Sequence, residues 1–125
     1  MGKTMFMALQ LDLHTLELEP DGEVLRIWFN RPESRNAHNQ QMVQEVGDLF
    51  IALNSQSEFR LAVLGGRGKS FCAGADRKEV LSEPANDLEA RYLGQLGRRA
   101  ARAIEDCELV TIARVHGHAI GGGCC

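Results

Sequence analysis

Two segments rich in glycine and alanine each follow a short apolar run: residues 65–76 and residues 116–123. Small side chains let backbone N–H groups approach a ligand closely. Two such loops at the ends of neighbouring strands can direct two N–H groups at one oxygen atom, which is the construction of an oxyanion hole. One glycine-rich loop by itself is typical of an ordinary turn, so the hypothesis of a site depends on the pair.

Neither segment fits the common nucleotide-binding motifs. Gly68-Lys69-Ser70 matches the end of a P-loop, but Val63 stands where that motif requires its first glycine. The dinucleotide motif G-x-G-x-x-G is broken in the two segments by Phe71 and Ala119. The sequence also lacks the G-x-S-x-G elbow of α/β-hydrolases. These patterns argue against phosphate-loop nucleotide hydrolysis, against a Rossmann dinucleotide site and against a serine hydrolase of that class.

The elements that must position the two loops alternate between strands and helices. Turn residues, apolar periodicity and a helix N-cap at Asn39 set their boundaries. That alternation implies crossover connections and a mainly parallel sheet. The predicted elements are a hairpin over 16–29, a helix after Asn39, a buried strand over 61–64, a helix over 88–104 and a buried strand over 109–115.

Composition limits the class of protein. A chain of 125 residues with 44% hydrophobic residues suits one domain, and a net charge of −3 argues against a nucleic-acid partner. No apolar run reaches membrane-span length, and residues 1–10 have no secretory cleavage site, so a cytoplasmic location is expected. The four cysteines form no C-x-x-C pair, which favours reduced thiols and no metal site.

Three sequence blocks together resemble the crotonase (enoyl-CoA hydratase/isomerase) superfamily. They are Asn30-Arg31-Pro32 followed by Asn36-Ala37, the segment 68–76, and the segment 113–123. The blocks follow the order and spacing of the family. The resemblance implies an α/β fold of crotonase-like ββα units with a mainly parallel sheet. It also implies that residues 1–125 are a single incomplete domain, the N-terminal portion of the fold before its C-terminal helices.

The resemblance further implies a site for acyl-CoA thioesters. In the family two backbone N–H groups hold the thioester oxygen, and the matching residues here are Ala75 and Gly122. CoA enters as part of the substrate, with no prosthetic group, and full-length relatives form trimers or dimers of trimers. Arg77 replaces a more usual apolar residue. The residues that the resemblance assigns to CoA contact are Lys69, Ala73, Ala75, Asp76, Arg77 and Lys78.

The acid/base groups of the hydratases are not found in the matching positions. Hydratases carry a Glu two residues after the third glycine of the second loop, where this chain has Cys125. A thiol titrates well above a carboxylic acid, so it is no simple replacement. His116 and His118 flank Gly117, but a loop packed beside a strand explains both, and His38 has no partner at a telling spacing.

Two hypotheses therefore stay open. The first is the N-terminal part of an acyl-CoA hydratase or isomerase. The second is a truncated or degenerate, non-catalytic relative that at most binds CoA or a partner subunit. The apolar strand over 109–115 needs a cover, which predicts an oligomeric parent protein.

Overall fold

The computed structural model describes residues 11–80 and 84–125, so the expectation about a signal in residues 1–10 lies outside the described part. Within these residues there are four strands and three helices, with a 3₁₀ turn before α1 and another after β4. In chain order the elements are β1 (Leu16–Asp21), β2 (Val24–Phe29), a 3₁₀ turn (Pro32–Ser34), α1 (Gln40–Leu53), β3 (Leu61–Gly66), α2 (Arg77–Val80), α3 (Asp87–Glu105), β4 (Val110–Ala113) and a 3₁₀ turn (Gly121–Cys124).

The four strands form one sheet in the order β1-β2-β3-β4. The hairpin strands β1 and β2 are antiparallel, with Leu16 opposite Phe29. The β2–β3 and β3–β4 pairs are parallel, and Leu64 lies opposite Ala113 in the second of them. The α/β class and the mainly parallel sheet are thus confirmed. Since β3 and β4 run in the same direction, the loops that follow them leave the same edge of the sheet.

Helix α1 begins where the sequence predicts. The Asn39 side chain accepts a hydrogen bond from Met42 N at 2.9 Å, which satisfies one of the free N–H groups of the first turn. The apolar stripe of α1 enters the main core together with alternate residues of β2. Core residues include Leu25, Ile27, Phe29, Met42, Val46, Leu49, Phe50, Leu53, Ala62 and Leu64.

Helix α3 packs on α1 where a small residue makes room. A Cβ on Gly47 would lie 2.7 Å from Nη1 of Arg99 and 3.7 Å from Cα of Ala100. The Arg99 guanidinium also meets the Asp48 carboxylate at 2.7 Å. The predicted helix is confirmed, but its apolar stripe is buried only in its later turns, since Leu88 is 75% exposed.

The last strand differs from its prediction. It spans Val110–Ala113 only, and it is an exposed edge strand instead of a buried one. Val110 and Ile112 are 63% and 46% exposed, and within residues 11–80 and 84–125 no strand pairs with the outer edge of β4. Strand β3 is two residues longer than the predicted 61–64, since Gly65 and Gly66 continue the ladder with Trp28 and Phe29.

We expect Leu49→Ala to lower the free energy of unfolding by about 2–5 kcal/mol, since it leaves a cavity at a site with no exposed surface. Ile51→Ala is the matched control on the same helix, because Ile51 is 47% exposed, and it should change stability by about 0.5 kcal/mol or less. Urea unfolding followed by circular dichroism measures both. Equal losses in the two variants would contradict the assignment of the buried face of α1.

Candidate functional site

The first loop (67–76) is tied to the β2–α1 connection by the buried side chain of Asn36. Its Oδ1 accepts a hydrogen bond from Arg31 N at 2.8 Å. Its Nδ2 donates to Arg67 O at 2.8 Å and to Ser70 O at 2.9 Å. Asn36 adopts a left-handed φ of 56°, which Asn tolerates better than most residues. The Asn36 amide therefore fixes the path of the first loop between Arg67 and Ser70.

Arg67 anchors the start of the first loop on the other side of the sheet. Its guanidinium lies 4.1 Å from the centroid of the Trp28 ring, within the range of a cation–π contact. The same guanidinium meets the Glu17 carboxylate, with Nη2 2.6 Å from Oε1. A Cβ on Gly65 would lie 3.0 Å from the Trp28 ring, so the absence of a side chain at Gly65 gives the ring the space it occupies.

The end of the first loop is fixed by the Asp76 carboxylate. Its Oδ2 lies 3.1 Å from Nη2 of Arg31, and both side chains are largely buried. Its Oδ1 accepts a hydrogen bond from Lys78 N at 2.9 Å. The Lys78 N–H and the Arg31 guanidinium hold the pKa of this carboxyl below its usual value, so it is ionised at neutral pH. Asp76, assigned to CoA contact from sequence, is thus engaged on both oxygens by the protein.

The first loop pairs directly with the second loop (114–124). Cys72 N donates to His118 O at 3.0 Å, and Ile120 N donates to Cys72 O at 3.0 Å. These bonds form a parallel bridge between Cys72 and Ala119. This isolated bridge lies beyond the ends of both strands, in the same parallel orientation as the β3–β4 pair. The sequence prediction that the two loops lie side by side is confirmed by this pairing.

Two glycines allow the loops to approach this closely. Gly74 has a φ of +90°, and a Cβ there would lie 2.6 Å from Ile120 O and 3.5 Å from Gly122 N. A Cβ on Gly123 would lie 2.2 Å from Cys72 O. Contacts this short to backbone oxygens leave no room for any side chain, so both positions require glycine.

The structure brings together the stretches that carry Ala75 and Gly122, the predicted pair of N–H donors. His38 N donates to Gly74 O at 2.8 Å, and Asp76 N donates to His38 O at 3.0 Å. Ala75 stands between these two bonds, so its own N–H takes no part in the bridge to His38. Gly122 N comes close to Gly74, the residue before Ala75.

The remaining predicted residues line the outer side of the first loop. Lys69, Arg77 and Lys78 are exposed, and Ala73 is half-buried with its N–H donating to Arg35 O at 3.1 Å. The short helix α2, which begins at Arg77, was not predicted.

His38 is a residue of the site that sequence reasoning missed. Its Nε2 lies 2.4 Å from the place of a Cβ on Gly122, so the ring rests against the second loop. Burial lowers the pKa of the imidazole, against opposing effects of its own backbone carbonyl, Glu79 and Asp76. In the sequence, the only indication of a role for His38 was its position directly after Asn36-Ala37. The structure adds that its backbone forms a bridge with Ala75.

The other titratable groups near the loops have structural contacts. His116 is exposed, and its Nε2 lies 2.7 Å from Gly68 O. All four cysteines are free thiols, and burial raises the pKa of Cys72. Within residues 11–80 and 84–125 there is no cluster of three or more His, Cys, Asp or Glu side chains fit for a metal ion. In the same part of the chain each helix is too short or too polar to cross a bilayer.

Comparison with known proteins matches nearly the whole chain to one family. The model of the family described as enoyl-CoA hydratase/isomerase matches residues 19–125. The short-chain-enoyl-CoA hydratase of Clostridium acetobutylicum is 37% identical over 115 residues, which are 91% of this chain and 43% of that protein. The mitochondrial Delta(3,5)-Delta(2,4)-dienoyl-CoA isomerase of Mus musculus is 38% identical over 80% of this chain and 33% of its own length.

Solved structures agree with the sequence comparison. An enoyl-CoA hydratase/isomerase from Mycobacterium paratuberculosis superposes with a TM-score of 0.84 at 29% identity, covering 91% of this chain and 46% of that one. An enoyl-CoA hydratase from Mycobacterium smegmatis gives 0.82 at 34% identity, covering 90% and 44%. The chain thus spans less than half the length of these relatives, which is consistent with an N-terminal portion of their fold.

We expect Gly123→Ala to separate the two loops, because its Cβ would lie 2.2 Å from Cys72 O. The Ile120 N–H, which donates to Cys72 O, should then exchange with solvent faster. Gly97→Ala is the matched control, since a Cβ on this helical glycine meets nothing within 4 Å. The control should leave that exchange unchanged and stabilise the helix by about 0.5–1 kcal/mol. Hydrogen exchange followed by NMR measures both, and unchanged protection in Gly123→Ala would contradict the tight loop pairing.

We expect Asp76→Asn to destabilise the chain at neutral pH but not in strong acid. Because the folded-state pKa of Asp76 lies below its ordinary value of 3.8, its stabilising effect is complete above that value. The effect is lost as the pH falls through the folded-state pKa. Asp21→Asn serves as the control, because Asp21 is paired with Arg26 at an exposed site. Urea unfolding at several pH values tests this, and a destabilisation independent of pH would show that the charge of Asp76 is unimportant.

Proposed function

Because the chain belongs to the enoyl-CoA hydratase/isomerase family, we propose that its paired loops bind the thioester carbonyl of an acyl-CoA. The observation that carries the proposal is the backbone bridge between Cys72 and Ala119, which aligns the two loops at one sheet edge. Ala75 and Gly122 each lie three residues beyond that bridge, one on each loop. Their N–H groups would donate to the same thioester oxygen.

Backbone donors suit this chemistry because they are rigid, uncharged and oriented before charge develops. When a proton leaves the α-carbon of a thioester, negative charge moves onto the carbonyl oxygen as an enolate. Donors that are fixed in place stabilise that oxygen more strongly than water can, and the loss of one donor costs about 3–4 kcal/mol of barrier. Asn36 and Asp76 hold the first loop in position without donating to the oxygen themselves.

The CoA end of the ligand would lie along the first loop. The exposed ammonium groups of Lys69 and Lys78 would meet its phosphates, while the small residue Ala73 leaves space for the nucleotide. Arg77 would add a third positive charge at the start of α2. CoA is then part of the substrate, and this chemistry requires no prosthetic group.

We further propose hydration or isomerisation of an enoyl-CoA as the reaction of the whole protein, which acts in the cytoplasm. Both reaction types pass through charge on the thioester oxygen, and the matched relatives carry both names. The exposed apolar residues Val110 and Ile112 on β4 support a trimer or a dimer of trimers, in which such surface is covered. A non-catalytic member that only binds CoA is the alternative, and it predicts affinity without turnover.

We expect the 125-residue chain to bind butyryl-CoA more tightly than S-butyl-CoA, the thioether that lacks the carbonyl oxygen. Two hydrogen bonds worth about 0.5–1.5 kcal/mol each correspond to a difference of about 5–150-fold in Kd. Isothermal titration calorimetry with both ligands measures this ratio. Equal affinities would contradict an oxyanion hole in this chain.

The phosphate contacts have a separate test with the same two ligands. The double variant Lys69→Ala/Lys78→Ala should weaken both ligands by the same factor, since the phosphates are common to them. Arg60→Ala is the matched control, because Arg60 lies beside the opposite end of β3 and pairs with Glu23. Unchanged affinity in the double variant would remove the two lysines from the proposed site.

A further inference from the structure

We propose that Nε2 of His38 is the base that removes the α-proton of the bound acyl thioester. This inference rests on the proposed thioester site and names a further residue within it. It concerns a side chain that the oxyanion-hole argument does not use, since both proposed donors there are backbone groups.

His38 contacts both stretches that carry the proposed donors. Its backbone N–H donates to Gly74 O at 2.8 Å, and its carbonyl accepts from Asp76 N at 3.0 Å, so the two bonds lie on either side of Ala75. Its ring extends to the other loop, where Nε2 lies 2.4 Å from the place of a Cβ on Gly122. A Cβ at Gly122 would therefore displace the imidazole. One residue thus spans the gap between the two loops.

The ring has the protonation state that a base needs. A neutral imidazole carries its proton on one ring nitrogen and a free lone pair on the other. In the proposed role the lone pair is on Nε2, the nitrogen that faces Gly122. Burial lowers the pKa of the imidazole, which keeps the ring neutral at neutral pH.

The charges around the ring oppose that shift without overcoming it. Asp76 of the first loop and Glu79 of α2 both favour the imidazolium form. Asp76 is already paired with Arg31, and Glu79 Oε2 accepts a hydrogen bond from Gln40 N at 2.8 Å. The part of the second loop beside the ring, Gly121–Gly123, has no ionisable side chain. These two carboxylates would stabilise the imidazolium once it has taken a proton.

The proton transfer balances without any other reactant. The Nε2 lone pair takes the α-proton, and the C–H electron pair becomes the new C1–C2 π bond. The carbonyl π electrons move to the oxygen, which the Ala75 and Gly122 N–H groups hold as an enolate. Return of the proton to the α-carbon restores the thioester. Return to the γ-carbon of a 3-enoyl thioester gives the 2-enoyl isomer instead, so the residue fits a double-bond isomerisation.

The test is exchange of the α-protons of butyryl-CoA in deuterated water, followed by proton NMR with the 125-residue chain. The unaltered chain should exchange them faster than a protein-free sample. His38→Gln keeps a polar side chain without basicity and should lose about 10²–10⁴-fold in exchange rate while keeping its preference for thioester over thioether. His14→Gln is the matched control, since that ring is exposed and pairs with Asp12 at 3.1 Å, and it should exchange like the unaltered chain.

The pH profile of the unaltered chain provides a second measurement that needs no substitution. The neutral ring is the active form, so the rate should rise with pH and level off, with its inflection below the ordinary histidine value of 6.5. The role of His38 is overturned if His38→Gln exchanges the α-protons at the rate of the unaltered chain. It is also overturned if the unaltered chain prefers the thioester to the thioether but does not exchange the α-protons. Failure of the thioester site is a different result, since there the unaltered chain itself shows no preference for thioester over thioether.

Discussion

The buried amide of Asn36 is the interaction on which the geometry of both loops depends. It pairs one N–H group, that of Arg31, and two carbonyl groups, those of Arg67 and Ser70, which lie on two different segments. Only an amide offers a donor and an acceptor on one short planar group. A carboxylate at this position would face two carbonyl oxygens, and an apolar residue would leave three buried polar groups unpaired at about 1–3 kcal/mol each.

The sheet transmits this constraint from the first loop to the second. Because β3 and β4 are parallel, the chain leaves both strands in the same direction, and the two loops pair again at the isolated bridge between Cys72 and Ala119. Phe71, just before that bridge, packs edge-on against Phe29 of β2 with ring centroids 5.4 Å apart. The first loop is therefore held by the core, by the β2–α1 connection and by the second loop at once. A loop held on three sides keeps its N–H groups oriented when no ligand is bound.

Periodicity and turn chemistry were enough to predict the order of elements and the Asn39 cap. These features depend on local residue types, which the sequence displays directly. The exposure of β4 and of Leu88 could not be predicted. An apolar side chain favours burial, but its type does not show whether another part of the protein packs against it. The place of His38 was also hidden, since its contact with Gly122 joins residues that are distant in sequence.

The crossover through α3 has a consequence for the order in which the site can assemble. The first loop needs only β2, β3 and the β2–α1 connection, all of which precede α3 in the chain. The second loop follows α3 and β4 in the chain, so its residues are synthesised after those two elements. Synthesis proceeds from the N-terminus. The hydrogen bond from Asn36 to Ser70 O can therefore form before Ala119, the bridge partner of Cys72, has been synthesised. Within residues 11–80 and 84–125, the scaffold of the first loop is therefore synthesised before the second loop.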